Sequence, residues 1–424
     1  MPVTPMPTFD EFNFINFFIC LVISCLANYF VWRRHVTSMV DPWIVEIFSQ
    51  SMILCLMGYF YLEGRLLTGH LLYIVFAFLA FGLGLNVYRR PVQFPRWNSD
   101  FINKDNIVLF LSLATGMLVV NNCAIYALLG IPALLDEERT ITLYSNLGRG
   151  GGIPVYMNIA LLLITPLLAI KAYFFYRKKR LALVSIVITF MALLALGQKT
   201  NLFNLLFIFG GCLLYMSRIR QMKIRVPRSI WAGILVAFSW LLFNFIRIAA
   251  LGYEKNAWWA LAKRMVETAA GPYYYFIENA YNRIPTLNVI NYYLSAIVPF
   301  FGIRDENAIG LGVNLTLLSD ASFGTPGFGP VPSMYVIGHA AFGWLGIIYC
   351  GALGFILSWV RYRFKGGFLV WTLANITIAF LLSDASYLMS VYFFVIIVFS
   401  MLFFAGLGFR NINRRDSIIN AQIN

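Results

Sequence analysis

Long apolar runs separated by short polar connections make up most of the chain. A helix needs about 20 mostly apolar residues to cross the hydrocarbon core of a membrane. About eleven runs meet this requirement, with an error of one either way; they lie near 14–32, 44–62, 70–88, 107–129, 155–176, 181–197, 201–216, 229–250, 339–359, 367–386 and 388–408. The pattern therefore predicts an all-α polytopic membrane protein with about eleven transmembrane helices in a single integral membrane domain, 1–424.

Composition excludes the soluble classes. Hydrophobic residues are 60% of the chain, charged residues 12%, and mean hydropathy is +0.75. A soluble globular protein has roughly 25% charged residues, because it must cover its surface with solvated groups. The six cysteines lie in apolar stretches without a CxxC spacing, and the three histidines are scattered. We therefore expect buried thiols, no metal site and no cofactor.

Basic residues mark every second connection between the runs. Six such places, beginning with Arg33 and Arg34 and ending with Arg410, Arg414 and Arg415, hold 21 of the 32 lysines and arginines. This asymmetry follows the positive-inside rule, so these connections face the cytoplasm and the chain starts outside. The net charge of +14 is thus an orientation signal, which argues against nucleic-acid binding. Asp10 and Glu11 precede the first run, which is interpreted as a permanent span rather than a cleaved signal.

Two outward segments are long, 130–154 and 251–338, and the second is the dominant loop of the protein. Within it, 255–270 resembles a helix in the membrane interface, 289–301 an interfacial or re-entrant helix, and 310–333 is rich in turn formers. Tyr274, Tyr281 and Glu278 combine rings with a carboxylate, a mixture that suits a sugar. An interfacial aromatic belt is the alternative for each ring.

Cations on the outward side are informative, because orientation gains nothing from them. They are Arg65, Arg139, Arg149, Lys199, Arg247, Lys255, Lys263, Arg264, Arg283 and Arg304. Arginine forks suit phosphate oxygens, and a lipid-linked diphosphate presents such an anion at the membrane surface. Snorkelling to lipid headgroups is the other interpretation. Our candidates for diphosphate binding are Arg139, Lys199, Arg247 and Arg283, with Arg149 and Arg304 in reserve.

A glycine run follows the arginine pair in the first outward segment. Gly150, Gly151 and Gly152 come directly after Arg149, and glycines let backbone amides approach an anion closely. No Lys-Ser/Thr pair follows them, so this is not a P-loop. We interpret the run and its arginines as half of a phosphate site.

Acid–base candidates in the outward segments are few. His339 lies where the large loop re-enters the membrane, and it is the first choice for a base that removes a proton from a sugar hydroxyl. Asp320 is the second choice. A helix-start histidine bonded to a backbone carbonyl is the structural alternative for His339. No HExxH, GxSxG or outward DxD motif occurs, which argues against zinc proteases, serine hydrolases and metal-dependent nucleotide-sugar transferases.

The layout and two motifs resemble a known family. One dominant late outward loop ends in Thr325-Pro326-Gly327-Phe328-Gly329 and Ser333-Met334-Tyr335, followed by Phe342-Gly343-Trp344-Leu345-Gly346. Arg139 is followed after ten residues by Gly150. These features resemble the bacterial Wzy-type O-antigen polymerases, which are related to the O-antigen ligases.

The resemblance implies a GT-C-type membrane glycosyltransferase of the bacterial inner membrane, with its active site facing the periplasm. Such an enzyme moves a growing glycan from undecaprenyl diphosphate to the terminal sugar of an incoming lipid-linked repeat unit. Arginines and lysines would stabilise the leaving diphosphate without a metal. A chain-length regulator and a flippase are the implied partners. Three alternatives stay open: a ligase that transfers glycan to the lipid A core, a lipid-linked oligosaccharide flippase or other transporter, and a non-catalytic assembly subunit.

Overall fold

The computed structural model describes residues 13–36, 38, 40–89, 102, 104, 106–129, 148–196, 199–219, 239, 268–295, 297, 311–319, 330–384 and 388–405, with the backbone alone at 128–129, 148–152, 194–196, 199–204, 218–219 and 313. These residues form helices and connections, with no strand among them. The all-α prediction is thus confirmed for the described part of the chain.

Thirteen α-helices of six or more residues lie in the described ranges. They are α1 Phe14–Trp32, α2 Ile44–Leu62, α3 Thr68–Leu85, α4 Ile107–Leu129, α5 Gly148–Tyr176, α6 Lys179–Leu196, α7 Lys199–Leu214, α8 Val289–Leu294, α9 Leu311–Leu317, α10 Ser333–Phe342, α11 Gly346–Tyr362, α12 Phe368–Thr377 and α13 Leu388–Ala405. Shorter helical turns are the α-helical turn Ala270–Pro272, the π-helical turns Tyr215–Ile219 and Tyr273–Ile277, and the 3₁₀ turns Ala280–Asn282, Gly343–Leu345 and Ile378–Leu382.

Seven helical stretches of the described residues are long and apolar enough to cross a membrane. They are Phe14–Trp32, Ile44–Leu62, Thr68–Leu85, Ile107–Ala127, Ile153–Tyr176, Ser333–Tyr362 and Leu388–Ala405. Each matches a predicted span, which confirms the helical membrane class. Two further predicted spans, 201–216 and 367–386, correspond to the shorter apolar helices Leu205–Ser217 and Phe368–Leu382. Helix α6 covers 181–196 of the predicted span 181–197 without being one of the seven. The predicted span 229–250 lies outside the described residues except Ser239. The number eleven stays a prediction.

The chain divides into two compact units. Unit 1 comprises Met1–Phe94, Met216–Lys365 and Ala374–Leu388, and unit 2 comprises Pro95–Tyr215, Gly366–Leu373 and Met389–Asn424. The histidines and the described part of the large outward segment belong to unit 1.

Helices α1 and α2 of unit 1 pack antiparallel. At one end the amide of Asn13 donates to the hydroxyl of Tyr59 at 3.1 Å, and at the other the rings of Trp32 and Trp43 meet with 5.9 Å between centroids. Helix α1 begins where the side chain of Asn13 accepts hydrogen bonds from the next turn. Its buried residues recur at intervals of three or four, whereas its other apolar side chains, such as Phe18 at 54% exposure, face outward. An exposed apolar helix face is expected where lipid is the solvent.

Helices α3 and α11 run parallel in close backbone contact. A Cβ atom on Gly84 would overlap the carbonyl oxygen of Gly351, and one on Gly354 would overlap that of Phe81. Small residues permit such an approach, which gives two membrane helices a large dispersion contact. Near the ends of the two helices, the amide of Tyr88 donates to the hydroxyl of Ser358 at 3.1 Å, in the same register.

Helices α10 and α11 form a re-entrant hairpin. The thiol of Cys350 lies 3.7 Å from the carbonyl oxygen of Met334, although a straight helix would separate these residues by about 24 Å. A Cβ atom on Gly346 would overlap the backbone of Gly338. The chain reverses at Gly343, whose φ of 56° lies in the left-handed region that favours glycine. The apolar stretch Ser333–Tyr362 is therefore folded back on itself, and the predicted span 339–359 includes the end of α10.

These directions place the ends of the helices of unit 1 in two groups. We call the end that holds the N-termini of α1, α3 and α11 and the C-terminus of α2 the outer end, because the sequence predicts that it faces away from the cytoplasm. The opposite end is the inner end.

A buried ion pair closes the inner end. Arg361 and Asp41 form two hydrogen bonds of 2.9 and 3.0 Å, and each side chain is 1% exposed. The guanidinium also stacks 3.5 Å from the ring centroid of Trp43 and donates to Asn375. Arg361, in the last turn of α11, is one of the basic residues that predict the orientation of the chain. Arg361 in addition joins the segment before α2 to α11 and α12.

In unit 2, polar side chains join α4, α5 and α6. Thr115 of α4 donates to Ser185 of α6 at 2.9 Å, and Asn122 of α4 donates to Asn158 of α5 at 2.9 Å. Such hydrogen bonds fix the rotation of apolar helices that have little hydrophobic reason to associate in lipid. Lys171 is 2% exposed, and its Nζ atom donates to the carbonyl of Ile102 at 2.6 Å.

Candidate functional site

Both histidines of the outer end of unit 1 lie in one aromatic cluster. The histidine–tyrosine cluster consists of His70 and Tyr73 from α3, Tyr275 and Phe276 from the π-helical turn, Tyr281 from a 3₁₀ turn and His339 from α10. Four separate segments thus bring these residues together.

Local structure explains why these side chains meet. His70 and Tyr73 are three residues apart at the start of α3, so they share one face of the helix. Helix α10 doubles back against α11, which places His339 beside Tyr73, with 4.8 Å between the ring centroids. The hydroxyl of Tyr73 also donates to the carbonyl of Tyr335 on α10 at 3.2 Å. The re-entrant hairpin therefore positions His339.

The central contact is the hydrogen bond between Tyr275 and His339. The Tyr275 hydroxyl lies 3.0 Å from Nδ1 of His339, and which atom donates depends on the tautomer. His339 is partly exposed, and in the described part of the chain its ring is hydrogen-bonded through Nδ1 and not through Nε2. When Nδ1 carries the proton that binds Tyr275, Nε2 has a lone pair free to accept a proton. This geometry suits a general base.

His70 packs its ring against three other rings of the cluster. Its ring centroid lies 4.6 Å from that of Tyr281, 5.2 Å from that of Phe276 and 5.8 Å from that of His339. Its Nδ1 atom is buried without a hydrogen-bond partner. The described residues contain no group of three or more histidine, cysteine, aspartate or glutamate side chains that could hold a metal ion.

An ion pair lies next to the cluster. Arg65, between α2 and α3, donates from Nη2 to Glu278 at 3.1 Å, and Glu278 also accepts a 2.5 Å hydrogen bond from Tyr273. The carboxylate side chain is 10% exposed, whereas that of Arg65 is 43% exposed. Nε and Nη1 of Arg65 make no hydrogen bond within the described ranges. Arg65 thus offers an anion the N–H groups of two nitrogen atoms, Nε and Nη1, at the outer end of unit 1.

Tyr273 and Tyr275 are two residues apart and connect the ion pair with the histidine–tyrosine cluster. Tyr273 bonds to Glu278, and Tyr275 bonds to His339. Burial raises the pKa of the Tyr275 hydroxyl, so this group stays protonated near neutral pH. Burial, and then the hydrogen bond to Glu278, raise the pKa of Tyr273. Both tyrosines are therefore neutral groups that can donate a hydrogen bond.

The structure describes the side chains of five of the eleven predicted site residues. His339 lies in the cluster, and Glu278 is the carboxylate of the ion pair. Tyr281 packs its ring on His70, and Tyr274 is 7% exposed with its ring against Tyr273. Arg283 is exposed and donates to the carbonyl of Leu318 at 3.1 Å.

The side chains of the other six predicted site residues are not among those that the structure describes. Arg139, Arg247, Arg304 and Asp320 lie outside the described residues. Arg149 and Lys199 lie in the first turns of α5 and α7, where only the backbone is described. The glycine run after Arg149 is helical, so α5 begins at Gly148, inside the predicted loop 130–154. The interfacial helix predicted at 255–270 is outside the described residues up to 267.

Sequence reasoning did not select the other residues of the site, which are Arg65, His70, Tyr73, Tyr273, Tyr275 and Phe276. Arg65 was only one of ten outward cations, and nothing in the pattern predicts its partner 213 residues away. The i, i+3 spacing of His70 and Tyr73 at a span entrance was a usable signal. The pairing of Tyr275 with His339 depends on the hairpin, which the apolar pattern does not reveal.

Comparison with known proteins identifies no relative: no family model, no curated protein and no solved structure matches the chain.

Proposed function

We propose that this protein is a membrane glycosyltransferase that moves a glycan from a lipid-linked diphosphate to a sugar hydroxyl at the outer face of the membrane. The observation that carries the proposal is the hydrogen bond between Tyr275 and His339, within an aromatic cluster and beside the exposed Arg65. A base, rings that can stack on sugars and an anion-binding arginine are the groups that this reaction requires.

In the proposed reaction, Nε2 of His339 takes the proton of the acceptor hydroxyl. The hydroxyl oxygen then bonds to the anomeric carbon of the donor. The bond from that carbon to the phosphate oxygen breaks, and the diphosphate leaves with the electron pair. Arg65 stabilises the negative charge that develops on the leaving group. The cations outside the described side chains, among them Arg139, Lys199 and Arg247, are further candidates for this role.

The polymerase is the version that we favour, because the sequence resembles that family. The donor would be a growing glycan on undecaprenyl diphosphate, and the acceptor an incoming lipid-linked repeat unit, in the periplasmic half of a bacterial inner membrane. A chain-length regulator and a flippase would be its partners. The ligase differs only in its acceptor, the lipid A core.

A transporter is the second candidate, favoured by a different observation. Transporters often bind their substrate at helices that are interrupted within the membrane, and α10 and α11 form such an interrupted pair. Buried polar atoms without partners also occur on α2, at Glu46 and Gln50. A flippase for lipid-linked oligosaccharides would use these features to move the substrate across the membrane.

Deletion of the gene in its host, followed by electrophoresis of the surface polysaccharide, separates these functions. A core that carries one repeat unit and no ladder supports the polymerase. Lipid-linked polymer with a bare core supports the ligase. Loss of all periplasmic lipid-linked repeat units indicates the flippase, and an unchanged ladder contradicts every version of the proposal.

A further inference from the structure

The N-terminal end of the re-entrant helix α10 is buried, but several of its hydrogen-bonding groups have no partner. Pro332 precedes the helix and provides neither a capping side chain nor an N–H group. The first turn of a helix leaves N–H groups without intrahelical partners and carries a partial positive charge. Of these groups, the amide of Ser333 donates to the carbonyl of Ser383 at 3.0 Å.

Two hydroxyl groups of this first turn have no hydrogen-bond partner. Ser333 is 3% exposed and Tyr335 is 0% exposed, and neither oxygen is paired. An unpaired buried hydroxyl destabilises a protein, because the hydrogen bonds that it made to water are not replaced. Ser333 also adopts a φ of 67°, which is unusual for a residue other than glycine. A buried helix end with two free donors is an arrangement that a bound acceptor would satisfy.

The position of this helix end matches the outer half of the membrane. Because α10 is antiparallel to α11, Ser333 lies at the level of Cys350, about 6 Å along α11 from its start. Gly271 packs against Val331 and Pro332, directly before Ser333. Two residues after Gly271, Tyr273 contacts Arg65. The segment from Gly271 to Tyr273 therefore contacts both Arg65 and the residues that precede α10.

We propose that the N-terminal end of α10, with the hydroxyls of Ser333 and Tyr335, binds a phosphate group of a membrane-anchored isoprenoid diphosphate. The available groups are hydrogen-bond donors, and helix N-termini favour anions. This inference rests on the proposed function, since it names the part of the site that holds the lipid diphosphate. Arg65 would contact the anion from the outer side.

Binding measurements on the purified full-length protein in phosphatidylcholine nanodiscs test this inference. The probes are farnesyl diphosphate, farnesol and inorganic pyrophosphate, and the variants are Ser333→Ala and Tyr335→Phe, which each remove one hydroxyl. Ser51→Ala is the matched control, because its buried hydroxyl is already bonded to the carbonyl of Ile47. We expect each site variant to weaken farnesyl diphosphate binding about tenfold or more, since hydrogen bonds to charged groups are strong. Farnesol binding should not change.

Other outcomes would overturn the inference. Unchanged affinity for farnesyl diphosphate in both variants, or an equal loss for farnesol, would mean that the hydroxyls have a structural role only. Pyrophosphate binding as tight as that of farnesyl diphosphate would indicate a site for free anions. If nanodiscs of phosphatidylglycerol abolish the difference between the variants, the site holds a bulk lipid headgroup.

The same experiment separates this inference from the proposed function. Hydroxyl-dependent binding of farnesyl diphosphate in a protein without glycan transfer would support the phosphate site and contradict the transferase. Polymer formation that persists at wild-type rates with both hydroxyls removed, and with unchanged binding, would do the reverse.

Discussion

At the scale of single residues, the candidate site depends on one hydroxyl that orients one imidazole. Tyr275 fixes the ring of His339 through Nδ1, so Nε2 keeps a defined direction. Sequence alone selected His339, because it stands at a span entrance. It could not select Tyr275 over its neighbours Tyr273 and Tyr274, because all three are tyrosines and their directions depend on the π-helical turn.

We predict that His339→Ala lowers the rate of glycan transfer about 10²-fold or more, since this is the usual contribution of a general base. Tyr275→Phe keeps the ring but frees the imidazole, so it should produce a smaller loss. Tyr29→Phe, on the exposed face of α1, is the control. Transfer is measured with purified protein and lipid-linked substrate. Wild-type rates in both site variants would show that the base is another group, such as Asp320.

A second residue-scale prediction concerns the ion pair of the inner end. Arg361→Ala leaves the carboxylate of Asp41 buried and unpaired, so we expect a loss of about 3–5 kcal/mol in the free energy of unfolding. The control is Arg363→Ala, an exposed residue whose guanidinium lies 4.8 Å from the ring centroid of Tyr88 and whose loss should cost under about 1 kcal/mol. Denaturant titration in detergent measures both values. Equal losses would mean that Asp41 is solvated.

At the scale of elements, the apolar pattern predicted most helices well and the hairpin not at all. Helices α1, α2 and α4 begin and end at the predicted residues, because a run of apolar residues long enough to cross lipid must form its hydrogen bonds internally. The segment Ser333–Tyr362 is equally apolar, yet it doubles back at Gly343. Hydropathy indicates whether a segment lies in lipid or in water, but it does not show whether the segment runs straight or folds back.

A disulfide tests the hairpin. In a chain that retains only Cys350 of the six cysteines, Met334→Cys should form a disulfide with Cys350 on oxidation, because the two residues are neighbours across the hairpin. A straight helix would place them about 24 Å apart, too far for a bond that needs Cα atoms within about 7 Å. Intact mass spectrometry detects the loss of two hydrogens. Met334→Cys paired instead with Cys25, on the exposed face of α1, should remain reduced. The absence of the 334–350 bond would contradict the hairpin.

At the scale of the whole molecule, orientation determines which end of unit 1 is accessible to an external substrate. The positive-inside rule predicts that the outer end, with Arg65 and the histidine–tyrosine cluster, faces away from the cytoplasm. The helix directions within unit 1 agree internally: α1, α3 and α11 are parallel, and α2 is antiparallel to α1. Arg65 and the residues of the histidine–tyrosine cluster therefore all lie at the outer end of unit 1.

Cysteine labelling tests the orientation. In a cysteine-free background, we expect Glu63→Cys to react with a membrane-impermeant maleimide in intact cells whose outer membrane is permeabilised. Lys365→Cys should react only after lysis. Both positions are exposed, so the membrane alone decides access. The opposite labelling pattern would place the candidate site in the cytoplasm and contradict a periplasmic reaction.

Two properties of this protein follow from its sequence alone: the helical membrane class and the positions of most spans. Each depends on local composition, because lipid as a solvent requires apolar side chains and internally bonded backbone in every crossing segment. The predicted orientation also rests on local composition, since it is read from the basic residues of each connection. Tertiary structure decided which residues meet. Arg65 pairs with Glu278 and Tyr275 with His339, and Ser333 is buried without a partner. Packing brings together residues as far apart in the chain as Asp41 and Arg361, which are 320 positions apart. A pattern along the chain cannot record contacts that arise only when the chain folds back on itself.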